Sequence, residues 1–325
     1  MKWGNLNLMS VTSKFIEHIS FIQSQTNKAL SKIPLKPELT SYFYDPISYV
    51  LKGKGKRLRP VLVHLAGQAF DAQPDDLMKA GVAAELLHNF SLVHDDIMDN
   101  DSKRHGQPSV HYRWDTSTAI LAGDGLFIFS QLSLLGLKPV IGQRFNEVAL
   151  EVCEGQGIDK QFENDSSITM QEYLVMIGKK TASFLGLCAE MGALLGDATK
   201  DESDEMFQFG FNLGMAFQIK DDLLEIFGEE KTMGKSLGSD LDENKQTVLA
   251  VLAREENEKE WLHFNQQENT LIDFKNYFTS NGIRTKAENL VENHVNMAVK
   301  CLDAIPGKKN KDLLEYSNLI MNRDY

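Results

Sequence analysis

Apolar residues recur at helical spacing along almost the whole chain. Phe15, Ile16, Ile19 and Ile22 fall at i, i+1, i+4 and i+7, and Val82, Leu86, Phe90 and Val93 draw a second stripe of the same kind. Each stripe predicts a helix with one face on a core. The interruptions are short. Gly53-Lys54-Gly55, Gln73-Pro74-Asp75 and Gly106-Gln107-Pro108-Ser109 combine residues that end one helix or open the next, and Gly228 to Gly238 reads as a polar, Gly-containing loop. Alternating β-branched runs between turn residues are absent, so the pattern predicts an all-α bundle rather than an α/β fold, with no strand. No linker of biased composition and no internal repeat divides the chain. Residues 1–325 therefore read as one all-helical domain.

Two stretches depart from the simple stripe. Thr118 to Leu137 is largely apolar and about long enough to span a bilayer, but Asp124 and Gln131 sit inside it. Charges inside a bilayer are costly, so this segment reads as a buried core or subunit-interface helix and not as a transmembrane segment. Arg254 to Asn269 is dense in Glu, Asn and Gln with scattered Trp261, Leu262 and Phe264, which reads as a solvated helix pair capping the bundle. It is assigned no chemistry.

Composition narrows the function. A chain of 325 residues with 42% hydrophobic and 25% charged residues can bury a sizeable core, which excludes disorder. The net charge of −12 argues against a nucleic-acid partner, because phosphate backbones are bound by basic surfaces. An anionic substrate would need metal ions or a local basic patch. Cys153, Cys188 and Cys301 lie too far apart for a disulfide framework or a CxxC zinc site and read as buried thiols of a reducing compartment. Met1-Lys2-Trp3-Gly4-Asn5 has no apolar run of a secretory signal, so the cytoplasm is the expected location.

The chemistry concentrates in two acidic motifs. His94-Asp95-Asp96-Ile97-Met98-Asp99 places Asp95 and Asp99 one turn apart on one side of a helix. Two like charges so close are unfavourable unless a cation lies between them, and hard oxygen ligands suit Mg²⁺. Alone, the motif could equally be a solvated acidic helix end. Gln218-Ile219-Lys220-Asp221-Asp222-Leu223-Leu224-Glu225 repeats the pattern in the second half of the chain, again at the end of an apolar run. Two such helices facing each other would make a metal-filled cleft, the usual way to bind a diphosphate. That resolves the conflict between an acidic protein and an anionic substrate.

Basic residues supply the other half of such a site. In Gly53-Lys54-Gly55-Lys56-Arg57-Leu58-Arg59-Pro60, Lys56 and Arg59 stand at i, i+3 near a helix start, where backbone N–H groups also favour an anion. Lys103-Arg104-His105, Lys179-Lys180-Thr181, Lys235 and Lys245 are weaker candidates singly.

Taken in order, GKGKRLRP, HNFSLVHDDIMD, KRHGQPSVH, GKKTASF, FQIKDDLLE and GKSLGSDLDENKQT resemble the trans-isoprenyl diphosphate synthases, or polyprenyl synthetases, from about Tyr44 to Ala253. The resemblance implies an all-α, isoprenoid synthase-type helical bundle around a deep central cavity, usually a homodimer. The implied reaction condenses an allylic diphosphate with isopentenyl diphosphate, head to tail. It further implies that Asp95 and Asp99 hold two Mg²⁺ ions and Asp221 a third, with Asp96, Asp222 and Glu225 as supporting acids. Arg104, Lys180, Lys235 and Lys245 are implied contacts of the allylic diphosphate. Lys56, Arg59, His88 and His105 are implied contacts of isopentenyl diphosphate, and His88 stands two turns before Asp95 on the same helical face. Thr181 and Gln218, with Lys180, are the implied catalytic residues, the first two offering oxygen dipoles to an allylic cation.

An aromatic at Phe90, five residues before Asp95 and followed by Ser91, resembles the twenty-carbon type, with Leu87 as the alternative stop one turn farther down. Fifteen carbons or a longer chain are the alternatives. Three places depart from the family pattern: His105 stands where a second Arg is common, Glu225 replaces Asp, and Ser236 and Asn244 replace Pro and Gly in the loop. A class I terpene synthase shares one such acidic motif but usually carries a different second one. A non-catalytic regulatory subunit would be expected to lose metal carboxylates, and both sets are present.

Overall fold

Helices open where the chain offers caps. A computed structural model describes residues 11–53, 55–163, 165, 167–228, 245–305 and 310–321. Helix α1 (Ser13–Leu30) opens on Thr12, whose hydroxyl accepts the Phe15 N–H at 3.3 Å. After α2 (Ser41–Leu51) and α3 (Leu58–Ala69), α4 (Pro74–Met98) begins with Pro74 at its first turn and Asp75 and Asp76 beside the bare N–H groups. A hairpin, β1 (Lys103–Arg104) against β2 (Gln107–Pro108), precedes α5 (Val110–Arg113), α6 (Thr116–Ser133) and α7 (Pro139–Phe162). Helix α8 (Met170–Ile177) continues through a π-helical turn, Gly178–Ala182, into α9 (Ser183–Leu195), and α10 (Lys200–Phe227) follows. The remaining described helices are α11 (Val248–Asn265), α12 (Leu271–Ser280), α13 (Ile283–Cys301) and α14 (Lys311–Met321).

The all-α expectation holds, with one correction. The hairpin has strands of two residues, too short to show the alternation by which a strand is read. His105 (φ 51°) and Gly106 (φ 74°) both take left-handed backbone, as a two-residue hairpin turn demands. Histidine tolerates that conformation better than most side chains.

Chain contacts gather into two compact units. The first comprises Met1–Phe145, Cys188–Asp204 and Gly307–Glu315; the second comprises Asn146–Leu187, Glu205–Pro306 and Tyr316–Tyr325.

In the first unit α4 packs against α1, α3 and α6. Every residue from Ala80 to Leu87 is buried, so the stripe read from the sequence understates this helix, which is covered on all sides over two turns. Glu85 lies inside that run and is neutralised by Arg57, Nη1 to Oε1 at 2.6 Å, with each side chain only 4% exposed. Arg57 also donates to Asn27 Oδ1 and to the Gly53 carbonyl, both at 2.8 Å. The basic loop is thereby tied to the core. Helix α6 accounts for most of the apolar stretch 118–137: Ala119, Ala122 and Leu126 are buried, while Ile120, Leu121, Ile128 and Leu132 remain exposed. No described helix is long and apolar enough to cross a membrane.

In the second unit the segment read as a solvated helix pair is corrected in part. Asn257 leaves helical backbone (φ −156°, ψ 88°), and its Oδ1 accepts from the Glu260 N–H at 3.3 Å, capping a new helical segment. Two segments are therefore present, but they are not solvated throughout. Trp261 is 5% exposed and packs on Tyr277 and Phe278, ring centroids 5.7 Å away in each case. Helix α12 supplies both rings, and the sequence spacing of α11 alone could not reveal them. The cysteine reading is also corrected: Cys188 is buried, Cys301 is half-buried and Cys153 is exposed on α7.

Removing one partner of the buried Arg57–Glu85 pair strands the other charge. Glu85→Ala is expected to lower the unfolding free energy by about 3–5 kcal/mol in urea denaturation, whereas a loss under about 1 kcal/mol would mark the pair as solvated.

Candidate active site

The carboxylates of the first motif stand at the C-terminal end of α4, where the helix dipole disfavours negative charge and the last turn holds no basic residue. Asp95 and Asp99 are half-buried there, the Asp99 N–H donating to the Asp95 carbonyl at 2.8 Å. Asp96 turns inward and is 3% exposed. Its Oδ1 accepts from Arg104 Nε at 2.7 Å, and Arg104 Nη2 also reaches Asp101 Oδ2 at 3.1 Å. Arg104 thus comes from the hairpin to lock the motif's second aspartate. Burial pushes the Asp96 carboxyl up to about 6 against the pull of Arg104.

A basic cluster lies in the same unit. Lys56 is exposed, and its carbonyl accepts from Gln23 Nε2 at 2.7 Å; Arg59 is half-buried in the first turn of α3. Burial, reinforced by the positive charges of Arg59, His105, Arg104 and Arg57, holds the His88 imidazole well below the usual histidine range. His105 is lowered by burial and then by Arg104, Arg57 and Lys56. Lys56, Arg59, His88 and His105, scattered over fifty residues of sequence, therefore share one electrostatic neighbourhood. Both shifts favour the neutral imidazole, which offers hydrogen bonds rather than charge.

The proposed chain-length residues also lie on α4. Phe90 is half-buried, its ring 4.7 Å from that of His94 and 5.4 Å from that of Phe127 on α6. Ser91 donates back to the His88 carbonyl at 2.9 Å, and Leu87 is 1% exposed.

The second unit carries the second motif near the C-terminal end of α10, again without a basic residue in the last turn. Asp221 is half-buried, whereas Asp222 and Glu225 are 6% and 1% exposed. Asp222 accepts from Tyr173 Oη at 2.7 Å, from the Val248 N–H at 2.8 Å and from Gln218 Nε2 at 3.1 Å. Thr181 donates to Gln218 Oε1 at 3.0 Å.

Lys180 and Thr181 sit in the π-helical turn, a distortion frequent at functional sites. Its backbone presses on α7 so closely that a Cβ at Gly155 would lie 2.3 Å from the Lys180 nitrogen. One turn on from Gly155, Asp159 pairs with Lys180 at 2.6 Å, and Lys179 pairs with Glu154 at 2.5 Å. Lys245 is half-buried, while Lys235, Ser236 and Asn244 lie outside the described residues. Asp101, Asp159 and Tyr173 were not legible as partners, because each meets its motif across a turn or from another helix.

Among the described residues no three His, Cys, Asp or Glu side chains converge closely enough to hold a metal unaided. The donor set nevertheless fits Mg²⁺, which keeps several waters and substrate oxygens and asks for only one or two carboxylates. A cation there would also offset the adverse helix dipoles.

Residues 40–278 match the polyprenyl synthetase family. A geranylgeranyl diphosphate synthase of Methanosarcina mazei is 36% identical over 87% of this chain and 90% of its own length. A geranylgeranyl pyrophosphate synthase of Geoglobus acetivorans is 37% identical over 90% and 94%. The crystal structure of geranylgeranyl pyrophosphate synthetase from Pyrococcus horikoshii superposes with a TM-score of 0.89 at 30% identity, covering 96% of this chain and 99% of that one.

The raised Asp96 carboxyl has a signed consequence. Between the ordinary value of 3.8 and about 6, native Asp96 holds a proton that the unfolded chain releases, so its contribution to stability falls as pH rises through that window. Asp96→Asn is expected to flatten this part of the pH–stability profile measured by urea unfolding in the absence of Mg²⁺. An unaltered slope would mean that Asp96 is ionised throughout.

Proposed function

This chain belongs to the polyprenyl synthetase family, and on that premise we propose how its residues divide the work of a Mg²⁺-dependent trans-prenyltransferase. The enzyme condenses an allylic diphosphate with isopentenyl diphosphate, head to tail, into a short-chain polyprenyl diphosphate, twenty carbons being favoured. The observation that carries this is the likeness to geranylgeranyl diphosphate synthases over 87% and 90% of the chain, joined to the two acidic motifs of the sequence.

In the proposed division, Asp95 and Asp99 hold two Mg²⁺ ions and Asp221 a third, with Asp96, Asp222 and Glu225 in support. Bound Mg²⁺ supplies positive charge that favours departure of a diphosphate. Arg104, Lys180, Lys235 and Lys245 contribute further cationic contacts to the leaving group, and Lys180 exchanges Asp159 for a phosphate oxygen. Lys56 and Arg59 take the isopentenyl diphosphate as charges, and His88 and His105 take it as hydrogen-bond donors. The oxygens of Thr181 and Gln218 stabilise positive charge on the allylic carbon, and Lys180 completes the catalytic set. Attack by the isopentenyl double bond forms the new carbon–carbon bond, and the departing diphosphate accepts the proton released, so no separate base is assigned. Apolar walls protect the cation from water.

Phe90 is the proposed floor of the path for the growing chain, backed by Phe127, with Leu87 below it. A homodimer is supported by the exposed apolar face of α6, where Ile120, Leu121, Ile128 and Leu132 await a cover such as the same face of a second copy. The cytoplasm is the proposed location.

Asp95→Ala and Asp221→Ala are each expected to lower turnover of labelled isopentenyl diphosphate by orders of magnitude with an unchanged helical circular-dichroism spectrum. Near-normal turnover of either variant at saturating Mg²⁺ would remove its aspartate from the metal set. Phe90→Ala is expected to shift products to longer chains. It should cost less than the roughly 3–5 kcal/mol of a fully buried ring. An unchanged product distribution from the folded variant would place the floor elsewhere.

A further inference from the structure

We propose that Tyr173 is a positioning residue that fixes the orientation of the Gln218 amide through Asp222. The inference rests on the reading above that the Gln218 oxygen faces positive charge developing on the allylic carbon.

The three side chains form one directed hydrogen-bond chain. Tyr173 Oη donates to Asp222 Oδ2 at 2.7 Å, Gln218 Nε2 donates to Asp222 Oδ1 at 3.1 Å, and Thr181 Oγ1 donates to Gln218 Oε1 at 3.0 Å. A carboxylate offers acceptors only, so the end of the Gln218 amide turned toward Asp222 is its NH₂ group. The oxygen end is consequently turned toward Thr181. If the amide rotated by half a turn, N–H donors would replace that oxygen and the sign of its dipole toward a cation would reverse.

What keeps Asp222 in place decides whether Gln218 can rotate. Asp222 and Gln218 are one turn apart on α10, but the groups that hold Oδ2 come from elsewhere: Tyr173 on α8 and the Val248 N–H at the start of α11, at 2.8 Å. Both bonds join a donor to a charged oxygen, the stronger class of bond, and of the two only the Tyr173 donor belongs to a side chain. Burial, then the neighbouring Asp222 carboxylate, hold the Tyr173 phenol well above its ordinary value, so it remains a donor at any working pH. Neither Tyr173 nor its aromatic ring is needed to touch substrate for this effect. The same carboxylate also ties the first residue of α11 to α10.

The test is a double-mutant cycle on the full-length enzyme with Mg²⁺, combining Tyr173→Phe with Gln218→Ala, all four proteins compared at a temperature where each is folded by circular dichroism. Tyr173→Phe keeps the ring and removes the donor. Its expected effect is a fall in kcat of about tenfold, the scale of one charge-assisted hydrogen bond. KM for both diphosphates is expected to stay within about twofold, the spread of independent effects. In the Gln218→Ala background the same substitution is expected to cost nothing further. A merely structural tyrosine would instead lower stability while leaving kcat intact, or its loss would multiply with that of Gln218→Ala; either result overturns the proposal. If Gln218→Ala itself retains full kcat, the assignment of Gln218 to the cation fails and this proposal falls with it, a pattern distinct from the other two.

Discussion

The structure turns on how it handles adjacent carboxylates at the wrong end of a helix dipole. Both acidic motifs close long helices whose last turns hold no basic side chain, where negative charge is electrostatically unfavourable. Both solve the problem alike. The second aspartate is drawn into the protein and given donors, Arg104 for Asp96 and Tyr173, Gln218 and Val248 for Asp222, while the first stays half-exposed. A buried carboxylate held by protein donors is a fixed strut, and the half-exposed one beside it is the proposed ligand of a cation. The proposed metal assignment rests on that division as well as on the acidic count.

Other charges extend the same scheme. The Arg57–Glu85 pair puts a neutralised ion pair beneath the basic loop, so Lys56 and Arg59 project from an anchored backbone. Burial, reinforced by nearby cations, lowers both His88 and His105 and so favours their neutral rings. His105 itself takes left-handed backbone at the hairpin turn, as Arg57 does before α3.

Much of this was legible in the sequence because it is local. Spacing of Asp95 and Asp99, the i, i+4 relation of Gln218 to Asp222 and the helical period of the core stripes all follow from one helix at a time. What stayed hidden joins separate helices. Nothing in the spacing of Tyr173 and Asp222, 49 residues apart, announces a 2.7 Å bond, and the π-turn that carries Lys180 and Thr181 differs from an ordinary helix only by its backbone hydrogen bonds. The burial of Trp261 was hidden for the same reason: Tyr277 and Phe278, which pack on it, belong to α12. The two-residue strands around Gly106 were too brief to carry a pattern at all.

The most direct test of the divided-carboxylate account is the position of the metal. Crystals grown with Mn²⁺ in place of Mg²⁺ and with a non-hydrolysable allylic diphosphate analogue would give anomalous peaks at each ion. The account predicts peaks in contact with the carboxylates of Asp95, Asp99 and Asp221, with Asp96 still on Arg104 and Asp222 still on Tyr173. A peak coordinated by Asp96 or Asp222, or the absence of any at Asp221, would contradict it.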